Sequence, residues 1–188
     1  MVYKWEEAAE EASGVIGGLL FDLIPASAEF LKLLVGKEYV RAGELLGVIV
    51  PKGWPDDEEA IAGLSWHLKA IRRNPDEALW RVRLIVWRSN RTVIGSINLK
   101  GLPDESGTVE IGWGLSEPFR RRGIATEAAR AVIKWSFGQS GVKRVIATVP
   151  GDNRASERVA ERVGMYRTGE LKRGLPVWAI KREFERLE

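Results

Sequence analysis

Apolar residues recur at helical spacing in the first part of the chain: Phe30, Leu31, Leu33 and Leu34 within residues 27–35, then Tyr39, Ala42, Leu45 and Leu46 within 38–46. Each set predicts a helix with one buried face. Ahead of them, residues 19–24 are mostly apolar and stop at Pro25, which predicts a first strand. Residues 3–12 are acidic and alanine-rich, either a short helix or a frayed end. Pro51, Gly53 and Pro55 make 48–55 a loop with Trp54 set in it, and Asp56 and Asp57 stand where they can cap a helix over 58–73 that ends near Asn74-Pro75.

The period then changes. Residues 79–87 are rich in β-branched and aromatic side chains, Ser89-Asn90-Arg91 predicts a hairpin turn, and 92–99 predicts the returning strand. A turn cluster over 101–107 leads to a third strand, 108–115. There Glu110, Gly112 and Gly114 share one face, while Val109, Ile111, Trp113 and Leu115 share the other. A helix over 125–137 follows, with the mostly small face Ala125, Ala128, Ala129, Val132, Ile133 and Ser136 suited to close packing on a sheet. A strand over 143–149, a helix over 153–163 and a hairpin of 166–171 with 176–184 complete the chain.

Between the third strand and the long helix lies Leu115-Ser116-Glu117-Pro118-Phe119-Arg120-Arg121-Arg122-Gly123-Ile124-Ala125-Thr126. A turn at a helix start aims free backbone N–H groups at one spot, and the helix dipole and neighbouring arginines add positive charge there. Gly123 allows close approach of a ligand to the backbone, and Ala125 does not block it. The pattern is that of a diphosphate cradle, or of a solvated basic turn.

The spacing Arg120-x-x-Gly123-x-Ala125 resembles the acyl-CoA pyrophosphate motif of the GNAT superfamily of N-acyltransferases. A second block, Asn153-Arg154-Ala155-Ser156 followed by Val163-Gly164-Met165, agrees with that resemblance, and Glu110-Ile111-Gly112-Trp113 looks most like the RimJ/RimL-type branch. The resemblance is strongest from about residue 79 onward and implies an α/β fold of the α+β kind. Helices would flank a mixed, mostly antiparallel central sheet of about seven strands. It implies one domain, with an acceptor-side helical region over about 1–75 and an acetyl-CoA-binding core over about 79–188. The implied cosubstrate is acetyl-CoA and the implied partner an amine-bearing acceptor. A homodimer is common in such families.

Acetyl transfer from a thioester to an amine needs a neutral amine, a stabilised oxyanion and a route for the leaving thiolate to gain a proton. On the resemblance, Glu110 is the base, acting through water. Leu115 and Ser116 would offer backbone groups to the pantetheine arm and the thioester carbonyl, with Gly112 and Gly114 permitting the strand distortion that admits it. Arg120, Arg121, Arg122, Gly123, Ile124, Ala125 and Thr126 would hold the pyrophosphate, and Asn153 would orient the arm. Many members carry a tyrosine seven residues after the motif asparagine; this chain has Ala160 there, so Ser156 takes the acid's place, with Tyr166 a second candidate. Plainer roles stand beside these: Glu110 as the polar side of an edge-like strand or as the partner of an arginine, Asn153 and Ser156 as a helix cap and first turn. Trp54 is placed against the acceptor, and Trp66 and His67 lie in the same half.

Composition narrows the alternatives. With 188 residues, 45% hydrophobic and 29% charged, the chain is of globular type. It has no cysteine and a single histidine, which excludes a thiol nucleophile and a multi-histidine metal site, so no metal is expected. The net charge of +3 suits a polyanionic cosubstrate without calling for nucleic acid. A basic nucleic-acid module using Arg120, Arg121, Arg122, Arg130 and Lys134 ranks last, and a non-catalytic acyl-CoA sensor is the alternative of the same fold. No apolar run has the length of a membrane span and the first residues lack a secretory pattern, so no membrane partner and a cytoplasmic location are expected.

Overall fold

The computed structural model describes residues 14–55 and 58–182. The acidic stretch 3–12 and the expected caps Asp56 and Asp57 lie outside them. Within them runs one eight-stranded sheet in the order β1-β2-β3-β4-β5-β6-β8-β7. Its strands are β1 (Ile16–Gly17), β2 (Phe21–Pro25), β3 (Val82–Trp87), β4 (Thr92–Leu99), β5 (Thr108–Leu115), β6 (Arg144–Thr148), β7 (Tyr166–Lys172) and β8 (Leu175–Lys181). The helices are α1 (Ala28–Val35), α2 (Tyr39–Leu46), α3 (Glu58–Arg73), α4 (Ile124–Gly138) and α5 (Arg154–Arg162). Every strand pair is antiparallel except β5 with β6, which are joined by the α4 crossover and run parallel.

The expected α/β architecture holds, with one strand more than expected because Ile16 and Gly17 pair with Leu23 and Asp22. Leu19 and Leu20 sit in the turn between these strands and are exposed, so β2 starts at Phe21. The strand expected over 79–87 starts late. Asn74 caps a 3-10 turn over Pro75–Trp80, accepting the Asp76 N–H at 3.3 Å, and Pro75 at its first position favours the turn over extension. No helix among the described residues is long and apolar enough to cross a membrane.

Alternation along β3 feeds two cores. Val82, Leu84 and Val86 face α1, α2 and α3, where Phe30, Leu31, Leu34 and Leu68 pack, while Ile85 faces the opposite layer with Ile97, Ile111, Ala128 and Val132. The small residues of α4 let that helix sit close on the sheet, as expected from the sequence. Each fully buried aliphatic side chain contributes about 1.5–3 kcal/mol.

Arg83 breaks the apolar alternation of β3. It is 1% exposed, donates from Nη1 to the Leu79 carbonyl at 2.6 Å and lays its guanidinium 4.3 Å from the Trp135 ring centre. Burial pulls its pKa down to about 10, so it stays charged at neutral pH. Arg83→Lys should lose the planar stack and lower stability by about 1–2 kcal/mol. Urea unfolding at pH 7 checks this.

Candidate active site

β5 stays with β4 along its outer half, from Leu99↔Ile111 to Gly95↔Leu115, and β6 stays with β8 along its whole length. The seam between β5 and β6 pairs only at Thr108↔Arg144, Val109↔Val145 and Glu110↔Ile146. Beyond Glu110 the two halves of the sheet part. The β4–β5 register is unbroken through Gly112 and Gly114, and so is the β6–β8 register, so each bank of the opening stays with its own neighbour.

The direction of the backbone follows from this register. The Lys100 N–H donates to the Glu110 carbonyl at 2.8 Å and the Ser116 N–H to the Ile94 carbonyl at 2.9 Å. Antiparallel alternation then turns Ile111, Trp113 and Leu115 away from β4, toward the gap. On the other bank, the Val149 N–H donates to the Pro176 carbonyl at 3.1 Å, which turns Thr148 toward the same gap. Trp113 thus presents both backbone groups, and Leu115 its N–H, to a slot with no strand in it. Ser116, expected to share this work, has its N–H engaged by β4. The Leu115 carbonyl accepts from Arg120 Nε at 2.8 Å. Unpaired ladder groups at a sheet centre need partners, and an extended arm with amide groups supplies them.

The mouth of the slot is the turn before α4. Gly123 is the N-cap with φ 81°, makes no side-chain cap bond, and a Cβ there would meet nothing within 4 Å. The first helical bond runs from the Glu127 N–H to the Gly123 carbonyl at 3.0 Å, which leaves the N–H groups of Ile124, Ala125 and Thr126 without helical partners. The side chains of Ile124 and Thr126 are buried, which anchors the turn. The three arginines have separate postures. Arg120 returns to the strand, Arg121 adopts φ 61° and is exposed, and Arg122 stacks 5.2 Å from the Trp87 ring centre and 5.8 Å from that of Phe119. Trp87 and Phe119, a shelf the sequence reading missed, come together only through the fold.

Glu110 sits where the seam opens and is 6% exposed. Its carboxylate is bonded by Lys100 Nζ, by Lys172 Nζ at 2.8 Å and by Thr148 Oγ1 at 3.0 Å. Burial alone pushes the carboxyl up; the bonds from Lys100 and Lys172, the Lys100 charge and the Thr148 hydroxyl outweigh it and hold it at about 2. A carboxylate held so strongly ionised is a poor proton acceptor at neutral pH. Of the readings of Glu110, this geometry favours the paired acid, but its partners are lysines and not the expected arginine, and its strand is central and not edge-like.

Asn153 caps α5 by accepting the Ser156 N–H at 3.0 Å, and the Ser156 hydroxyl has no partner among the described residues. Ala160 is fully buried against the sheet, and Tyr166 is 48% exposed at the start of β7. Trp54, expected to line the acceptor pocket, is 7% exposed and packs in the core beneath α1–α3. His67, in contrast, lies on the α3 face toward the sheet beside Asn98. Its pKa is lowered to about 4 by burial, then by the Arg81 and Lys100 charges, against the side-chain hydrogen bond with Asn98, which raises it.

A family model described as an acetyltransferase (GNAT) domain matches residues 27–166. The chain is 32% identical over 128 residues to the uncharacterized N-acetyltransferase YjdG of Bacillus subtilis, covering 68% of this chain and 76% of that protein. It is 38% identical over 69 residues to YnaD of the same organism, an uncharacterized N-acetyltransferase, covering 37% and 41%. Two solved structures share the fold. One is the Salmonella typhimurium acetyltransferase that modifies the N-terminal serine of ribosomal protein L7/L12, at 16% identity, TM-score 0.60, and 90% and 99% coverage. The other is the microcin C7 self-immunity acetyltransferase MccE, solved with acetyl-CoA and AMP, at 15% identity, TM-score 0.59, and 88% and 94% coverage. With well over half of its length matched by the family model and with relatives named for the same activity, the chain belongs to the GNAT family and is an N-acetyltransferase.

Proposed function

We propose that the protein transfers an acetyl group from acetyl-CoA to a primary amine by direct attack in a ternary complex, in the manner of the RimJ/RimL-like branch. One observation carries the reading: a sheet seam that pairs at three positions and then opens, with unpaired backbone groups of Trp113 and Leu115 lining it and a free helix N-terminus at its mouth. An anionic diphosphate suits the N–H groups of Ile124, Ala125 and Thr126 and the charge of Arg121. The amides of a pantetheine arm suit the two banks of the slot. The MccE structure was solved with acetyl-CoA, which supports the same cosubstrate here.

In the reaction the amine nitrogen attacks the thioester carbonyl carbon. The C–N bond forms, the C–S bond breaks, the nitrogen loses a proton to water and the departing sulfur gains one. The Leu115 or Trp113 N–H, held in place by the β4–β5 register, is positioned to stabilise the carbonyl oxygen as it gains charge. Glu110 orders Lys100 and Lys172 beside the opening. Ser156 is the candidate proton donor to sulfur, its hydroxyl free on the first turn of α5.

Calorimetric titration with acetyl-CoA, coenzyme A and dephospho-coenzyme A, beside thiol release against seryl peptides, polyamines and aminoglycosides, tests the reading. Acetyl-CoA binding with thiol release for one amine class is the expected result; absence of acetyl-CoA binding overturns it. Ser156→Ala should lower kcat about tenfold while the acetyl-CoA affinity stays unchanged. Unchanged kcat removes Ser156 from the mechanism.

A further inference from the structure

The loop after α2 takes up the sheet where β5 leaves it. β5 ends with the Ser116 N–H on the Ile94 carbonyl, and one residue back along β4 the Val93 N–H donates to the Ile49 carbonyl at 2.8 Å. The Ile49 N–H in turn donates to the Arg91 carbonyl at 2.8 Å, so this loop pairs with β4 in the place of β5. Ile49 stands beside Thr92, and Leu115 at the open slot stands opposite Gly95. At the rise of a strand the two are about 10 Å apart along β4.

The loop is anchored at both ends. The Val48 N–H donates to the Gly43 carbonyl at 2.9 Å, and a Cβ at Gly43 would collide with the Val48 carbonyl oxygen, so glycine is what lets α2 lie this close. Trp54 buries its indole, and its N–H donates to the Pro51 carbonyl at 3.0 Å, closing the turn that presents Lys52. Between this loop and the start of α2 is a cavity of about 670 Å³. Small-molecule sites span about 300–1,000 Å³. Val50, the exposed Val40 and the half-buried Tyr39 give the cavity an apolar wall, and Lys37, Arg41 and Lys52 line it as well. Glu38, the acid of the lining, is paired with Arg41. Lys37 and Lys52 have no ion-pair partner among the described residues, so the charge left over is positive. Free ammonium groups beside an apolar wall attract an organic anion and repel a second cation.

Resting on the acetyl-transfer reading above, we propose that this cavity is the acceptor pocket and that it takes a small amine carrying a carboxylate on an apolar body. The body packs on Tyr39, Val40 and Val50, the carboxylate pairs with the two free lysines, and the amine reaches along the line from Ile49 to Ser116 into the slot. Spermidine and kanamycin, cationic at several positions, are disfavoured by the same charges. Two exposed pairs with lysine are together worth about tenfold in affinity.

Thiol release from acetyl-CoA would be followed with tyrosine and 8-aminooctanoate, with their amides tyrosinamide and 8-aminooctanamide, with seryl peptides, and with spermidine and kanamycin. Calorimetric titration of the coenzyme A-saturated protein with the same compounds reads binding directly. The expected result is that at least one carboxylate is preferred over its amide about tenfold in kcat/KM, with the two polycations poorer than the amides. Lys37 and Lys52 are exposed, so Lys52→Glu and Lys37→Asn should fold, and asparagine suits the left-handed backbone at Lys37, φ 62°. Each variant should raise KM for the carboxylate and shrink its preference over the amide, with acetyl-CoA affinity unchanged. Four results each overturn the inference alone in a protein that binds acetyl-CoA. They are a preference for spermidine or kanamycin, turnover confined to seryl peptides, a carboxylate preference that both variants keep in full, and neither binding nor thiol release with either carboxylate. Failure of acetyl-CoA to bind the wild-type chain overturns both this inference and the reading beneath it.

Discussion

Gly123→Glu should reduce acetyl-CoA affinity at least a hundredfold without unfolding the protein. A Cβ at Gly123 meets nothing within 4 Å, so the added side chain has space in the folded chain. The backbone φ of 81° strains any L residue there, at a cost of about 1 kcal/mol. The larger effect is on the ligand. A carboxylate at the N-cap of α4 sits among the same free N–H groups that the diphosphate needs. Like charges about 5 Å apart at the protein surface repel by about 3 kcal/mol, which is about a hundredfold in affinity. Gly123→Asn is the control, since asparagine tolerates a left-handed backbone and adds no charge. Calorimetric titration of both variants separates the effects: Asn should bind within about tenfold of wild type. A Gly123→Glu protein that binds acetyl-CoA normally removes the cradle from this turn.

What the sequence made legible here is what depends on neighbours along the chain. The alternation in 108–115, the small face of the helix after it and the basic turn between them are local patterns, and β5, α4 and the Gly123 N-cap follow them closely. The Asn153 cap is local too. The partners of Glu110 are not, because Lys100 just past β4, Thr148 of β6 and Lys172 of β7 reach it through sheet register. The same register hands the Ser116 N–H to Ile94 and turns Trp113 to the slot, and no spacing rule shows which side of a strand a backbone group faces. The burial of Trp54 is non-local in the same way: Gly and Pro beside it signal a loop, while helices elsewhere in the chain cover its indole.

Acid should destabilise this protein in two separable windows. His67 has its folded pKa lowered from 6.5 to about 4, so as pH falls below 6.5 the unfolded chain takes up a proton that the folded chain refuses. Stability drops through that interval, by up to about 3 kcal/mol at 1.4 kcal/mol per unit. Glu110 has its folded pKa lowered from 4.5 to about 2, so the stability it contributes is complete above 4.5 and is lost as pH falls toward 2. Its share is again about 3 kcal/mol, less than breaking a buried pair outright. The two together approach the whole stability of many domains, about 5–15 kcal/mol. Urea unfolding from pH 7 to pH 2 should therefore show a falling free energy for the wild type. His67→Leu should flatten the curve between 6.5 and 4. Glu110→Gln should start lower at pH 7, because Lys100 and Lys172 lose their carboxylate, and should flatten it below 4.5. If both variants keep the wild-type slope in both windows, the protons are taken up elsewhere. The lowered pKa values of His67 and Glu110 would then not govern the acid response of this fold.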